Sequence, residues 1–264
     1  MLADLAPARR RFLLAIAVAV LLAVGGTAAG VLLSRDAPVH PVAQDELGTV
    51  LLVPGYGGNT SSLKVLAATL EREGRTARIV PAPGDGRGDL RRHAVRLGRM
   101  ARGAVAAGAP SVDVVGFSAG GVVARLWVDE LDGGSLARRV VTLGSPHHGT
   151  DLAGVARGLS LNACPEACRQ LAPGSDLLRG LNAHDETPDG PLWVALWTTD
   201  DQTVVPPTSG SLEGALDFSV QSVCPGLHVA HTDLPRTPAV MAMVVAELGT
   251  DEPAVPDASV CVSR

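Results

Sequence analysis

Apolar positions along the chain fall into short runs separated by polar stretches of helical length. Residues 47–53 are apolar apart from Gly48 and Thr49, which reads as a buried parallel strand. The turn Pro54-Gly55-Tyr56-Gly57-Gly58-Asn59 follows, and Thr60 or Ser61 can cap a helix running to about Glu73. Residues 76–80 read as the next strand, stopped by Pro81 and Pro83. Residues 89–107 read as a helix with arginines on one side and Val95, Leu97, Met100 and Val105 facing inward. Residues 112–115 predict a strand and 121–131 a helix. A further strand, 140–143, ends in Gly144-Ser145-Pro146-His147-His148-Gly149. Residues 150–190 look irregular, with short helical pieces. Strands are expected at 192–198 and 217–223, and a last helix at 238–248. Strands alternating with helices predict an α/β class with a mostly parallel sheet covered on both faces.

In such a sheet the reactive groups gather beyond the carboxyl ends of the strands. Tyr56, Ser118, His147, Asp201 and His231 each follow a predicted strand. No internal repeat is evident, and the organised body is expected to span residues 47–249.

The N-terminus has a different pattern. Arg9, Arg10 and Arg11 precede a uniformly apolar run, followed by Gly25-Gly26-Thr27-Ala28-Ala29. This is the layout of a secretory signal with small residues at the cleavage site. Stretched to residues 12–33, the same run is long enough to span a bilayer. Residues 1–34 therefore read as a signal peptide or an uncleaved membrane anchor, and both place the body outside the cytoplasm. Residues 35–46 look like a polar linker, and residues 250–264 like a Pro- and Asp-rich tail.

Charge and cysteines narrow the picture. The formal charge is −5, and residues 1–34 contribute three arginines and one aspartate, so the remainder carries −5 − 2 = −7. An acidic body with 3% aromatic residues argues against nucleic acid as a partner. The four cysteines, Cys164, Cys168, Cys224 and Cys261, fit two disulfides in an oxidising compartment. Of three connectivities we favour Cys164–Cys168 and Cys224–Cys261, the second tying the tail to the body. The first pair lacks the companion ligands of a zinc site.

The chemistry centres on Gly116-Phe117-Ser118-Ala119-Gly120, a Gly-x-Ser-x-Gly pentapeptide between a strand and a helix. Its glycines relieve the crowding of a sharp strand-to-helix turn that would expose the Ser118 hydroxyl. A serine needs a base to take its proton, and a carboxylate to orient that base. In the expected chain order, Asp200 or Asp201 is the acid and His228 or His231 the base.

Together these segments resemble the secreted bacterial lipases and esterases of the α/β-hydrolase fold, of the small actinobacterial type. The resemblance runs from about residue 47 to 248. It rests on Val53-Pro54-Gly55-Tyr56-Gly57-Gly58, the serine pentapeptide, Gly144 to Gly149, and the Asp201 and His231 segments. It implies an acid in Asp-x-x-Val, here Asp201 to Val204, and a base in His-x-x-Leu, here His231 to Leu234. An oxyanion hole would use the amides of Ala119 and Tyr56. Similar enzymes carry His-Gly where this chain has Pro54-Gly55.

The remaining candidates read more plainly. One of His147 and His148 is expected to brace its loop near the acid or the elbow. His40, His93 and His184 look like surface residues, and Asp185, Glu186 and Asp189 like a solvated loop. The expected activity is hydrolysis of fatty-acyl esters through an acyl-enzyme on Ser118, with a small-molecule or lipid ester as partner. No cofactor or metal is expected. Membrane association would run through residues 12–33, and residues 150–190 lie where a substrate-covering segment would sit. The rival readings are a carboxylesterase, an acyltransferase on cell-envelope lipids or polyesters, and a non-catalytic binding module. Oligomeric state and bound calcium are open.

Overall fold

The computed structural model describes residues 39–151 and 164–262, together with Ile16 and Val20. The chain divides into two compact units, Met1–Val39 and His40–Arg264. Apart from Ile16 and Val20, the expected signal or anchor lies outside the described residues, as do residues 152–163 of the expected substrate-covering segment. Among the described residues, no helix is long and apolar enough to cross a membrane.

The body is built on six strands: β1 (Thr49–Val53), β2 (Ala77–Ile79), β3 (Val112–Phe117), β4 (Ala137–Leu143), β5 (Leu192–Trp197) and β6 (Leu216–Ser219). They form one sheet in the order β2-β1-β3-β4-β5-β6, and every pairing is parallel. The order reverses between β1 and β3, so a crevice is left beyond their carboxyl ends. The helices are α1 (Ser61–Arg72), α2 (Leu90–Ala106), α3 (Ala119–Glu130), α4 (Glu166–Gln170), α5 (Asp176–Leu181), α6 (Val220–Val223) and α7 (Pro238–Glu247).

Strand alternation distributes the core. Leu51, Val53, Val114 and Val140 pack with α2 and α3 on one face. Val50, Leu52, Val115 and Val141 pack with α1 and α7 on the other. Both faces are sealed, which explains why β1, β3 and β4 are buried along their whole length. Each fully buried Leu or Val contributes about 1.5–3 kcal/mol of transfer free energy.

Three expectations need correction. In α2 the buried stripe is Leu90, His93, Ala94, Leu97, Gly98, Ala101 and Ala104, while Val95 is 42% exposed. Small residues line that stripe because α2 packs closely on α3; a Cβ on Gly98 would lie 2.9 Å from Trp127 Nε1. His93 is accordingly not a surface residue: it is 5% exposed and hydrogen-bonds at Val80, and burial pushes its pKa down to about 4. The expected last strand stops at Ser219, whose hydroxyl accepts the Ser222 amide and caps α6.

The ends of the body are pinned below the sheet. Buried Asp113 takes guanidinium groups from Arg75 and Arg138 on one oxygen. Arg138 also bonds the carbonyls of Leu248, Gly249 and Gln44, the last within the expected linker. The disulfides are Cys164–Cys168 and Cys224–Cys261. The second joins the turn after α6 to the 3-10 turn Ala258–Val262 of the tail.

Candidate active site

Ser118 stands where β3 turns into α3, with φ 54° and ψ −125°. An L residue held there stores about 1–3 kcal/mol of strain, which the surroundings must over-determine. The Ser118 amide donates to the Leu143 carbonyl at 2.8 Å, and its carbonyl accepts the Gly121 amide at 3.0 Å. Packing around the turn leaves no room for side chains at the flanking glycines. A Cβ on Gly116 would lie 2.5 Å from Gly121 Cα, and one on Gly120 would lie 2.2 Å from the Val53 carbonyl oxygen. Phe117 and Ala119 are buried while Ser118 is partly exposed, so the turn presents the hydroxyl alone.

Asp201 follows β5 in a turn that saturates its carboxylate. Oδ1 accepts the Thr203 and Val204 amides, both at 2.8 Å, and Oδ2 faces His231 Nδ1 at 2.7 Å. The turn is braced by Thr150, whose hydroxyl donates to the Thr203 carbonyl and accepts the Val205 amide. His231 opens the 3-10 turn His231–Asp233. Asp201 is 3% exposed and His231 6%, so water screens their interaction weakly. The carboxylate fixes the tautomer in which Nδ1 carries hydrogen and Nε2 is free to accept a proton.

Gly144 stands between the elbow and the acid–base pair. A Cβ there would lie 3.2 Å from Asp201 Oδ2 and 3.3 Å from His231 Nδ1, and the preceding residue, Leu143, accepts the Ser118 amide. Phe117, adjacent to the serine, packs its ring on His231 with centroids 5.0 Å apart. The turn after β1 packs against the serine: a Cβ on Gly55 would lie 2.9 Å from Ser118 Cβ and 3.4 Å from its Oγ. Among the described residues, the Tyr56 and Ala119 amides donate no hydrogen bond, whereas the Gly57, Gly58 and Gly121 amides do. The Arg87 guanidinium lies over the Tyr56 ring, 5.8 Å from its centroid.

The neighbouring candidates take other places. Asp200 Oδ2 bonds His228 Nδ1 at 3.1 Å, and that histidine is 88% exposed. His147 is fully buried with Nε2 on Thr142 Oγ1 at 3.1 Å, and burial holds it well below the ordinary imidazole range. His148 pairs with Glu186 at 2.8 Å. Glu186 is therefore not a solvated loop residue: its other oxygen accepts the Glu213 amide and its carbonyl accepts buried Arg125. Sequence reasoning also passed over Thr150, Thr198 and Gln221, whose hydrogen bonds carry no local signature. Cavities of about 170 and 380 Å³ lie at the two ends of α2, and Tyr56, Ser118, Asp201 and His231 line neither. Among the described residues, no group of three or more His, Cys, Asp or Glu is arranged to hold a metal ion.

Comparison with known proteins bears on the fold of the body. The family model for class 2 lipases matches residues 103–220, from the end of α2 to the start of α6. Aspergillus fumigatus lipase B superposes with a TM-score of 0.69 at 17% identity, over 85% of this chain and 60% of that one. The mature form of the Bacillus licheniformis lipase BlEst2 superposes with a TM-score of 0.64 at 18% identity, over 81% of this chain and 96% of that one. This chain thus spans less than two thirds of the first enzyme and nearly all of the second. No curated protein sequence matches it. The likeness establishes the α/β-hydrolase fold for the body.

Proposed function

We propose that the protein is a serine ester hydrolase acting on fatty-acyl esters. Ser118 Oγ attacks the ester carbonyl carbon as its proton passes to His231 Nε2. The carbonyl oxygen becomes an oxyanion, held by the Tyr56 and Ala119 amides, with the N-terminus of α3 adding its dipole. The tetrahedral intermediate collapses as His231 returns the proton to the leaving alkoxide, giving an acyl-enzyme. Water, deprotonated by His231, then attacks the acyl carbon, and Ser118 leaves with the proton as the carboxylic acid departs. Asp201 holds His231 and stabilises the imidazolium in both halves.

The observation that carries this reading is the strained serine against the Gly55 turn, next in sequence to Phe117, whose ring packs on the imidazole that bonds Asp201. The class 2 lipase match and the likeness to two lipases support the choice of acyl esters. The paired cysteines fit an extracytoplasmic setting. Hydrolysis of p-nitrophenyl esters across acyl lengths, by wild type and Ser118→Ala, tests the reading. Ser118→Ala should lose at least about 10³-fold in kcat and all fluorophosphonate labelling. Labelling that survives in Ser118→Ala would refute the assignment.

A further inference from the structure

The acid-bearing turn and the base-bearing turn are joined at a second place besides the Asp201–His231 bond. Gln221, on α6, stands between them. Its Oε1 accepts the Thr199 amide at 2.9 Å, and its Nε2 donates to Thr198 Oγ1 at 2.9 Å and to the Leu227 carbonyl at 3.1 Å. Nε2 also lies 3.4 Å from Asp200 Oδ2. Asp200 in turn accepts the Val229 amide and His228 Nδ1 on that same oxygen, at 3.2 and 3.1 Å. Thr198 is fully buried, and its hydroxyl donates to the Val229 carbonyl at 2.8 Å. Gln221 thus grips the strand end three residues before Asp201 and the loop four residues before His231. The Cys224–Cys261 disulfide anchors the turn between its two grips.

We infer that Gln221, with Asp200 as its partner, is a positioning residue for the reaction: it locks the acid turn to the base turn and so holds the His231 ring against Ser118. The inference rests on the proposed roles of Ser118 and His231. The Asp201 bond and the Phe117 ring hold the imidazole locally, and the second tie fixes the loop that carries it relative to the acid turn. Displacing a catalytic group by about 1 Å costs up to about a hundredfold in rate. The tie does not touch the substrate, so its loss should appear in kcat and leave KM unchanged.

The test compares p-nitrophenyl ester kinetics, the rate of fluorophosphonate labelling and thermal unfolding in four variants of the full chain. Gln221→Met keeps the length of the side chain and removes every polar contact; kcat and labelling rate should fall about tenfold to a hundredfold with KM within about twofold. Asp200→Ala should fall in the same direction. Asp200→Asn should retain most of kcat, because all three contacts converge on Oδ2 and an amide oxygen can occupy that place with its NH2 turned outward. Gln221→Met and Asp200→Ala both retaining wild-type kcat would overturn the inference. So would a loss in Asp200→Asn as deep as that in Asp200→Ala. If Gln221→Met fails to fold, the Asp200 pair decides alone. Ser118→Ala is the fourth variant: if it stays active, the underlying reading has failed instead.

Discussion

Asp201→Asn separates the two adjacent aspartates more sharply than any other substitution. Oδ1 of Asp201 is committed to the Thr203 and Val204 amides. An asparagine must keep its carbonyl oxygen there, because the alternative orientation sets NH2 against two N–H donors. Its NH2 is then forced toward His231 Nδ1, where Asp201 Oδ2 now sits at 2.7 Å. The imidazole can answer only by taking the other tautomer, with Nδ1 accepting and Nε2 carrying hydrogen. In that state Nε2 cannot take the Ser118 proton. The expected loss in kcat is about 10⁴-fold, or about 5.4 kcal/mol of transition-state stabilisation. The fold should be almost untouched, since shape and both amide bonds are kept. Asp201→Ala instead orphans the buried Val204 amide and should also cost about 1–3 kcal/mol of stability. The assay is p-nitrophenyl ester turnover, with urea unfolding as the control for folding. Asp201→Asn retaining more than about a tenth of wild-type kcat would refute the tautomer argument.

Two further outcomes follow from the buried charges beneath the sheet. Asp113→Ala leaves Arg75 and Arg138 buried without their shared counter-charge, and should cost about 3–5 kcal/mol in urea unfolding; a loss below about 1 kcal/mol would refute the role given to the cluster. Burial raises the Glu247 pKa from 4.5 to about 7, so its contribution to stability is fully present below pH 4.5 and is lost as pH rises through 7. The span is about 3 kcal/mol. His93 has the opposite sign, losing stability as pH falls from 6.5 toward 4, so the readout is the difference between wild type and Glu247→Gln. Glu247→Gln should be relatively more stable at pH 8 than at pH 5; an unchanged difference would exclude the effect.

Much of the fold can be read along the chain because a parallel sheet buried on both faces needs continuous apolar strands. β1, β3 and β4 are such runs, and the helices between them follow from length and periodicity. The serine elbow is equally local. Its glycines are dictated by backbone contacts that fall within a few residues, apart from the approach of β1 to Gly120. The break at Ser219 had a local signal as well, since a serine before a short helix is a capping residue.

What the chain alone could not decide is pairing between distant segments. Asp200 and Asp201 are equally polar, so residue chemistry left the choice to the resemblance, and the folded turn directs one to His231 and the other to His228. The inward face of α2 was misread because close helix packing selects Ala and Gly, which hydrophobicity ranks below the exposed Val95. Glu186, Arg125 and Gln221 make their bonds to groups that are remote in sequence, so no window of residues reveals them. Composition and periodicity specified where strands end and hence where reactive groups gather. Hydrogen-bond partnership between loops distant in sequence, a property of three-dimensional proximity, decided which of those groups face one another.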